Sequence, residues 1–168
     1  LVEQRDDDEA PSRLKVEGSR HLPRRPALRE ESRAHDQQNE LGAAQAFRQA
    51  LELDSTHVKS RLNLSRVLIE DGRPDEALQQ LELVRADDST MGEVHRLIGR
   101  AQDARGEVEQ AIAAYQRAIV LDTSDVWAMN NLGVLLVQQS RAGEALGPLA
   151  RATVLRPTSP VFQNNLGT

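Results

Sequence analysis

The segment Ala111-Ile112-Ala113-Ala114-Tyr115-Gln116-Arg117-Ala118 decides the fold, because its order of alanine, bulky residue and small residue returns at a fixed interval. Shifting the chain by 34 residues puts Ala43, Ala77, Ala111 and Ala145 in one column. Phe47, Leu81, Tyr115 and Leu149 form a second column, and Ala50, Val84, Ala118 and Ala152 a third. Steps of four and then three residues lie on one face of an α-helix, whereas a strand alternates at every second residue. Ahead of each copy runs another set, Leu64, Ile98, Leu132 and Leu166, followed by the small residues Ser65, Gly99, Gly133 and Gly167. A small side chain beside a large apolar one lets a second helix come close. Each block therefore predicts two amphipathic helices joined by a tight turn, and the chain predicts no strands.

The punctuation agrees with that division. Asp71-Gly72-Arg73-Pro74, Arg105-Gly106-Glu107 and Ser140-Arg141-Ala142-Gly143 read as turns within blocks. Pro74 suits a first helical position, where its missing N–H has no intrahelical partner to lose, and Asp75 and Glu76 then face the positive end of the helix dipole. Between blocks, Leu53-Asp54-Ser55, Asp87-Asp88-Ser89, Leu121-Asp122-Thr123 and Leu155-Arg156-Pro157 close one helix, and their polar residues are expected to cap the next. Asp125 and Ser159 are the individual N-caps this reading selects. Pro148 falls within a predicted helix near its start, where it frees only an early carbonyl around Glu144; the expectation is a slight kink without a break.

Composition narrows the function classes. Hydrophobic residues are 39% of the chain but aromatics only 2%, so the core must be aliphatic. A net charge of -5 argues against general binding to nucleic acid, which needs a basic surface. No stretch approaches the roughly 18 apolar residues of a membrane span, and none resembles a signal peptide, so direct membrane insertion is not expected. The expectation is a soluble domain, cytoplasmic or periplasmic, with the compartment unknown. The absence of cysteine removes disulfides and thiolate chemistry. A start at Leu1 reads as a chain processed or excised from something longer.

The 34-residue helix-turn-helix period with these columns resembles the tetratricopeptide repeat family over about residues 24–168. The resemblance implies an all-α fold, an α-solenoid of tandem antiparallel helix pairs with right-handed superhelical stacking. Repeats fall at 24–57 (degenerate), 58–91, 92–125 and 126–159, with a truncated fifth at 160–168. Two departures stand out. Glu30-Glu31 occupies the place of a Leu-Gly-like pair, and the usual tyrosine of the first helix is Ala34, Leu68, Gln102 and Leu136. Residues 1–23 have mixed charge and few large apolar residues, and read as a flexible arm. Its run Asp6-Asp7-Asp8-Glu9 lacks the spaced ligands of a calcium loop, and Arg20, Arg24 and Arg25 read as surface charge.

In this family the first helices line a concave face, and the resemblance carries that role to named positions here. The candidates for binding a peptide are Lys59, Asn63 and Arg66, then Arg96 and Arg100, then Trp127, Asn130, Asn131 and Val134, and finally Asn165. One column runs Asn63, Leu97, Asn131, Asn165, a row of asparagines with one rung missing. Carboxamides can pair with the backbone of an extended peptide, and similar rows line the groove in the repeat domain of O-linked N-acetylglucosamine transferase. The alternative is that these amides only pack neighbouring helices. Likewise, Lys59, Arg66, Arg96 and Arg100 can hold an acidic or carboxyl-terminal segment with Trp127 as anchor, or can form a salt-bridged groove with Glu70, Glu93 and Asp103. The two-carboxylate clamp of the chaperone-tail-binding members is absent, since Leu28 and Ser32 precede Asn63, and Glu93 and Leu97 follow it.

No catalytic pattern is legible. His21, His35, His57 and His95 have no metal-like partner at helical spacing, and no phosphate loop or HExxH occurs. Neither enzyme activity nor a cofactor is expected. The leading reading is a protein-interaction scaffold that assists complex assembly; the alternative is the substrate-recruiting arm of a larger enzyme such as a glycosyltransferase. Because NNLG at Asn164–Gly167 repeats Asn130–Gly133, the chain reads as ending in mid-repeat. Leu149 and Leu155 are then expected at an apolar end surface, partly covered by Phe162 and Leu166, with self-association or disorder of the last residues as the result.

Overall fold

The computed structural model describes residues 42–167, and every regular element among them is helical. The arm at 1–23, the region of Glu30, Glu31 and Ala34, the residues Arg20, Arg24, Arg25, His21 and His35, and Thr168 lie outside the described residues. A helix over residues 42–53 (α1) precedes α2 (Val58–Glu70), α3 (Pro74–Asp87), α4 (Gly92–Ala104), α5 (Val108–Leu121), α6 (Val126–Gln138), α7 (Ala142–Leu155) and α8 (Pro160–Leu166).

The most extensive packing is within the pairs α2/α3, α4/α5 and α6/α7. The alanine and bulky columns of the second helices are what the pairs bury: Ala77, Leu81, Ala111, Tyr115, Ala145 and Leu149 are all at most 4% exposed. Each large buried side chain contributes roughly 1.5–3 kcal/mol, against at most about 1 kcal/mol for an exposed ion pair. The pairs are held together by these columns. Gly99 and Gly133 show why the preceding position is small. A Cβ at Gly99 would stand 2.7 Å from the Tyr115 ring, and one at Gly133 would overlap Leu149. In the second repeat Ser65 fills this place, fully buried, and its hydroxyl donates to the Arg61 carbonyl at 2.8 Å.

The turns within pairs share one backbone device. Arg73, Glu107 and Arg141 each donate their N–H to the carbonyl five residues back, on Leu68, Gln102 and Leu136. The residue before each donor is left-handed, with φ of 73° at Gly72, 77° at Gly106 and 60° at Ser140. Glycine adopts that conformation without penalty and serine does not. The turns between pairs differ from the sequence expectation. Asp54, Asp88 and Asp122 do not cap the following helix; their carboxylates accept from the N–H and hydroxyl of Thr56, Thr90 and Ser124 and close the turn itself. Hydrogen bonding to these neighbours holds all three carboxyls below the usual range.

Asp125 does cap α6, accepting from Trp127 and Ala128 N–H at 3.1 and 3.0 Å. Ser159 stands at the N-cap of α8 without a side-chain bond, whereas His57, which the sequence reading passed over, caps α2 through Nδ1. Pro74 opens α3, and Pro148 sits within a continuous α7.

Successive first helices touch, α2 with α4, α4 with α6 and α6 with α8, but α3, α5 and α7 make no such contacts with one another. The array therefore curves with α2, α4, α6 and α8 on its inner side. At the C-terminal end less apolar surface is left than the sequence pattern implies. Leu149, expected at the surface, is 4% exposed because its own pair buries it, Phe162 is 2% exposed, and Leu155 remains 43% exposed. Two substitutions test this packing with opposite signs. Ser140→Gly should raise stability by about 1 kcal/mol by relieving the left-handed serine, and Gly133→Ala should lower it by roughly 1–3 kcal/mol through overpacking. Urea unfolding followed by circular dichroism measures both, and an unchanged midpoint for Gly133→Ala would contradict the close approach.

Candidate functional site

The first helices bury Leu97, Ile98, Leu132 and Leu136 in the core and leave polar side chains of α4 and α6 on the inner side of the curve. Two adjoining recesses result. One, of about 510 Å³, is lined by Arg66, Arg96, Arg100, Trp127 and Asn131. The other, of about 570 Å³, includes Arg100, Asp103, Tyr115, Asn131, Val134 and Asn165 in its lining. Arg100 and Asn131 belong to both, so the recesses form one groove across α4, α6 and α8.

Most of the sequence-predicted residues meet there. Asn130 also lines the second recess, although it is 6% exposed and its side-chain Oδ1 accepts from Asn165 Nδ2 at 2.8 Å. Lys59 and Asn63 line neither recess. Lys59 is exposed near the start of α2, and Asn63 accepts from Arg66 Nη1 at 2.9 Å. Leu97, the interruption in the asparagine row, is fully buried in the core around α2 to α4. The row is thus a set of differing local roles: Asn63 steadies an arginine, Asn131 bonds the Tyr115 hydroxyl, and Asn165 joins α8 to α6.

The arginines are engaged as well. Arg66 Nη2 meets Glu93 at 2.7 Å, Arg96 Nε meets Asp125 Oδ2 at 2.9 Å, and Arg100 Nη2 meets Glu70 at 3.4 Å. Two of the pairs join α2 to α4, and the third joins α4 to the residue that caps α6. The Arg96–Asp125 bridge is the most enclosed, with side chains 16% and 9% exposed. Asp125 therefore acts twice, through Oδ1 on the α6 amides and through Oδ2 on Arg96. Trp127 combines its two sequence readings: its ring meets Phe162 edge-on with centroids 5.2 Å apart, yet it is 53% exposed and walls the first recess.

Tyr115 and Leu135 line the groove and were not among its sequence candidates. Tyr115 was legible only as a core column; its phenol was the available signal, since a buried tyrosine needs a polar partner at its tip. Burial first, and then the Asp103 carboxylate, push the phenol well above its usual range, opposed by Arg100 and the Asn131 hydrogen bond. Desolvation raises the Asp103 carboxyl in turn. Among the described residues, no group of three His, Asp or Glu is placed to hold a metal ion, and no helix is long and apolar enough to cross a membrane.

The double role of Asp125 predicts an order of effects. Asp125→Asn should retain a cap acceptor and lose the ion pair, whereas Asp125→Ala loses both and should cost roughly 1 kcal/mol more. Arg96→Met leaves an enclosed carboxylate unpaired, at a cost of roughly 1–3 kcal/mol. Thermal unfolding of the three variants checks the order, and equal midpoints for Asp125→Asn and Asp125→Ala would contradict the cap.

A family model described as "Tetratricopeptide repeat" matches residues 34–101, and one described as "TPR repeat" matches residues 99–140. Protein STIP1 homolog of Dictyostelium discoideum is 38% identical over 63 residues, which are 38% of this chain and 11% of that protein. The chain thus spans about a tenth of the length of this relative. Among solved structures, MamA superposes with a TM-score of 0.66 at 24% identity, covering 80% of this chain and 79% of that one. YrrB, described as a TPR protein with an unusual peptide-binding site, gives a TM-score of 0.66 at 19% identity, with 79% of this chain and 68% of that one covered. At these identities the structures speak for the fold alone.

Proposed function

We propose, from the premise that this chain belongs to the tetratricopeptide repeat family, that it is a non-catalytic protein-interaction scaffold whose concave groove binds an extended segment of a partner protein. The observation that carries this reading is the pair of joined recesses across α4, α6 and α8, lined by amides, a phenol, charged side chains and a half-exposed tryptophan. An extended peptide needs donors and acceptors for its backbone and shallow seats for its side chains, and this lining offers both. Trp127 supplies a rigid apolar surface already steadied by Phe162, so seating a side chain against it orders little that is not already ordered.

The acidic or carboxyl-terminal ligand named from the arginine pattern is the weaker form of this reading. An acidic ligand group at Arg66, Arg96 or Arg100 must displace Glu93, Asp125 or Glu70, so it gains only the difference between two similar pairs. The asparagine row contributes through positioning at least as much as through the ligand, since Asn131 and Asn165 already hold Tyr115 and Asn130. Self-association through the C-terminal end rests on Val154, Leu155 and Val161, which stay exposed, and loses Leu149. A recruiting arm of a larger enzyme uses the same groove and differs in what is joined to it.

The groove reading is tested by probing an array of random decapeptides with the full chain. Val134→Arg, which fills the second recess, should weaken retained peptides at least about tenfold, as loss of a central seat does. Gln116→Arg, the same substitution type at an exposed position of α5, should leave them bound. Binding that survives Val134→Arg and fails in Gln116→Arg would place the interaction on the outer helices.

A further inference from the structure

We propose that the groove selects a basic residue, seating a lysine or arginine side chain of the bound segment against Asp103. This rests on the groove reading above and specifies its ligand. Arg66, Arg96 and Arg100 each face a carboxylate from beyond their own helix, Glu93, Asp125 and Glu70. Asp103 lines the second recess, and no ion pair or hydrogen bond of its carboxylate occurs among the described residues. Arg100, three residues earlier on the same helix, reaches to Glu70 instead.

Arg100 is the one cation in the lining of this recess, and its guanidinium is drawn to Glu70 rather than to Asp103. Tyr115, Asn130, Asn131, Gln138 and Asn165 share the recess, and all are neutral hydrogen-bonding groups. Partial burial acts on the Asp103 carboxyl without relief from a nearby positive charge. An ammonium or guanidinium entering here forms a charge-assisted hydrogen bond with a carboxylate that has no partner to give up. At the arginine end the opposite ligand charge must break an existing bridge. Counting arginines therefore points to an acidic ligand, whereas counting pairs points to a basic one. The neutral amides around Asp103 also accept a donor-rich head group in several orientations, which suits lysine and arginine alike.

The test uses the full chain and an array of random decapeptides, N-acetylated and C-amidated so that side chains carry the only charges. Lysine and arginine should be enriched over aspartate and glutamate among retained peptides. A resynthesised lysine peptide, followed through the chain's single tryptophan, Trp127, should bind Asp103→Asn about tenfold more weakly. Its norleucine analogue should bind Asp103→Asn and the parent chain alike. Asp87→Asn makes the same charge change on α3, outside the groove, and should leave the lysine peptide unaffected. Enrichment of acidic residues, retention without charge preference, or an equal loss in Asp87→Asn would overturn the inference while leaving groove binding intact. If no peptide is retained, or if retention survives Val134→Arg, the groove reading itself fails and this inference fails with it. Circular dichroism of Asp103→Asn must match the parent, so that a loss of affinity is not a loss of fold.

Discussion

The approach of two helices over a missing or buried side chain is the constraint on which the rest of the structure depends. Gly99 lies against the Tyr115 ring and Gly133 against Leu149, and neither site has room for a methyl group. That contact fixes how closely the partners of a pair lie, and thereby where the outer helix leaves the next turn. The first helices then meet their counterparts in adjacent pairs, and the second helices do not. Curvature, and with it a concave face, follows from this inequality.

The same contact links core to groove. Tyr115 fills the space above Gly99 with its ring and extends its hydroxyl to Asn131 on the next first helix. Its neighbours Ala111 and Ala118 are fully buried, so the phenol is held from the core side. On the groove side the bridges Arg66–Glu93 and Arg100–Glu70 link α2 to α4, and Arg96–Asp125 links α4 to the cap of α6. Individually such pairs contribute little at a surface. Among the charged residues that line the two recesses, Asp103 is the one these bridges leave out.

The fold was legible in the sequence because it is written by repetition. Columns such as Ala77, Ala111 and Ala145 average out local ambiguity that any single helix would retain, and they name the buried faces directly. The groove was legible as a surface but not as a set of partners. Asn63, Asn131 and Asn165 share a column yet bond to an arginine of the same helix, a tyrosine of the preceding repeat and an asparagine of the preceding first helix. Turn chemistry was misread for a similar reason. Asp54, Asp88 and Asp122 suit either a cap or a closed turn, and only the direction of the chain after them decides it. Gln102 shows the cost of departing from the repeat pattern: Leu68 and Leu136 are buried in its column, and its own Oε1 is a buried oxygen without a hydrogen-bond partner among the described residues.

The central claim is that binding belongs to the inner helices, and backbone amide NMR of the full chain titrated with an array-selected decapeptide addresses it most directly. The account predicts shift changes concentrated on α4, α6 and α8 together with the Trp127 indole, while the exposed residues of α3, α5 and α7 stay unperturbed. Shift changes confined to those second helices, with Trp127 and Asn131 unmoved at saturating peptide, would contradict it.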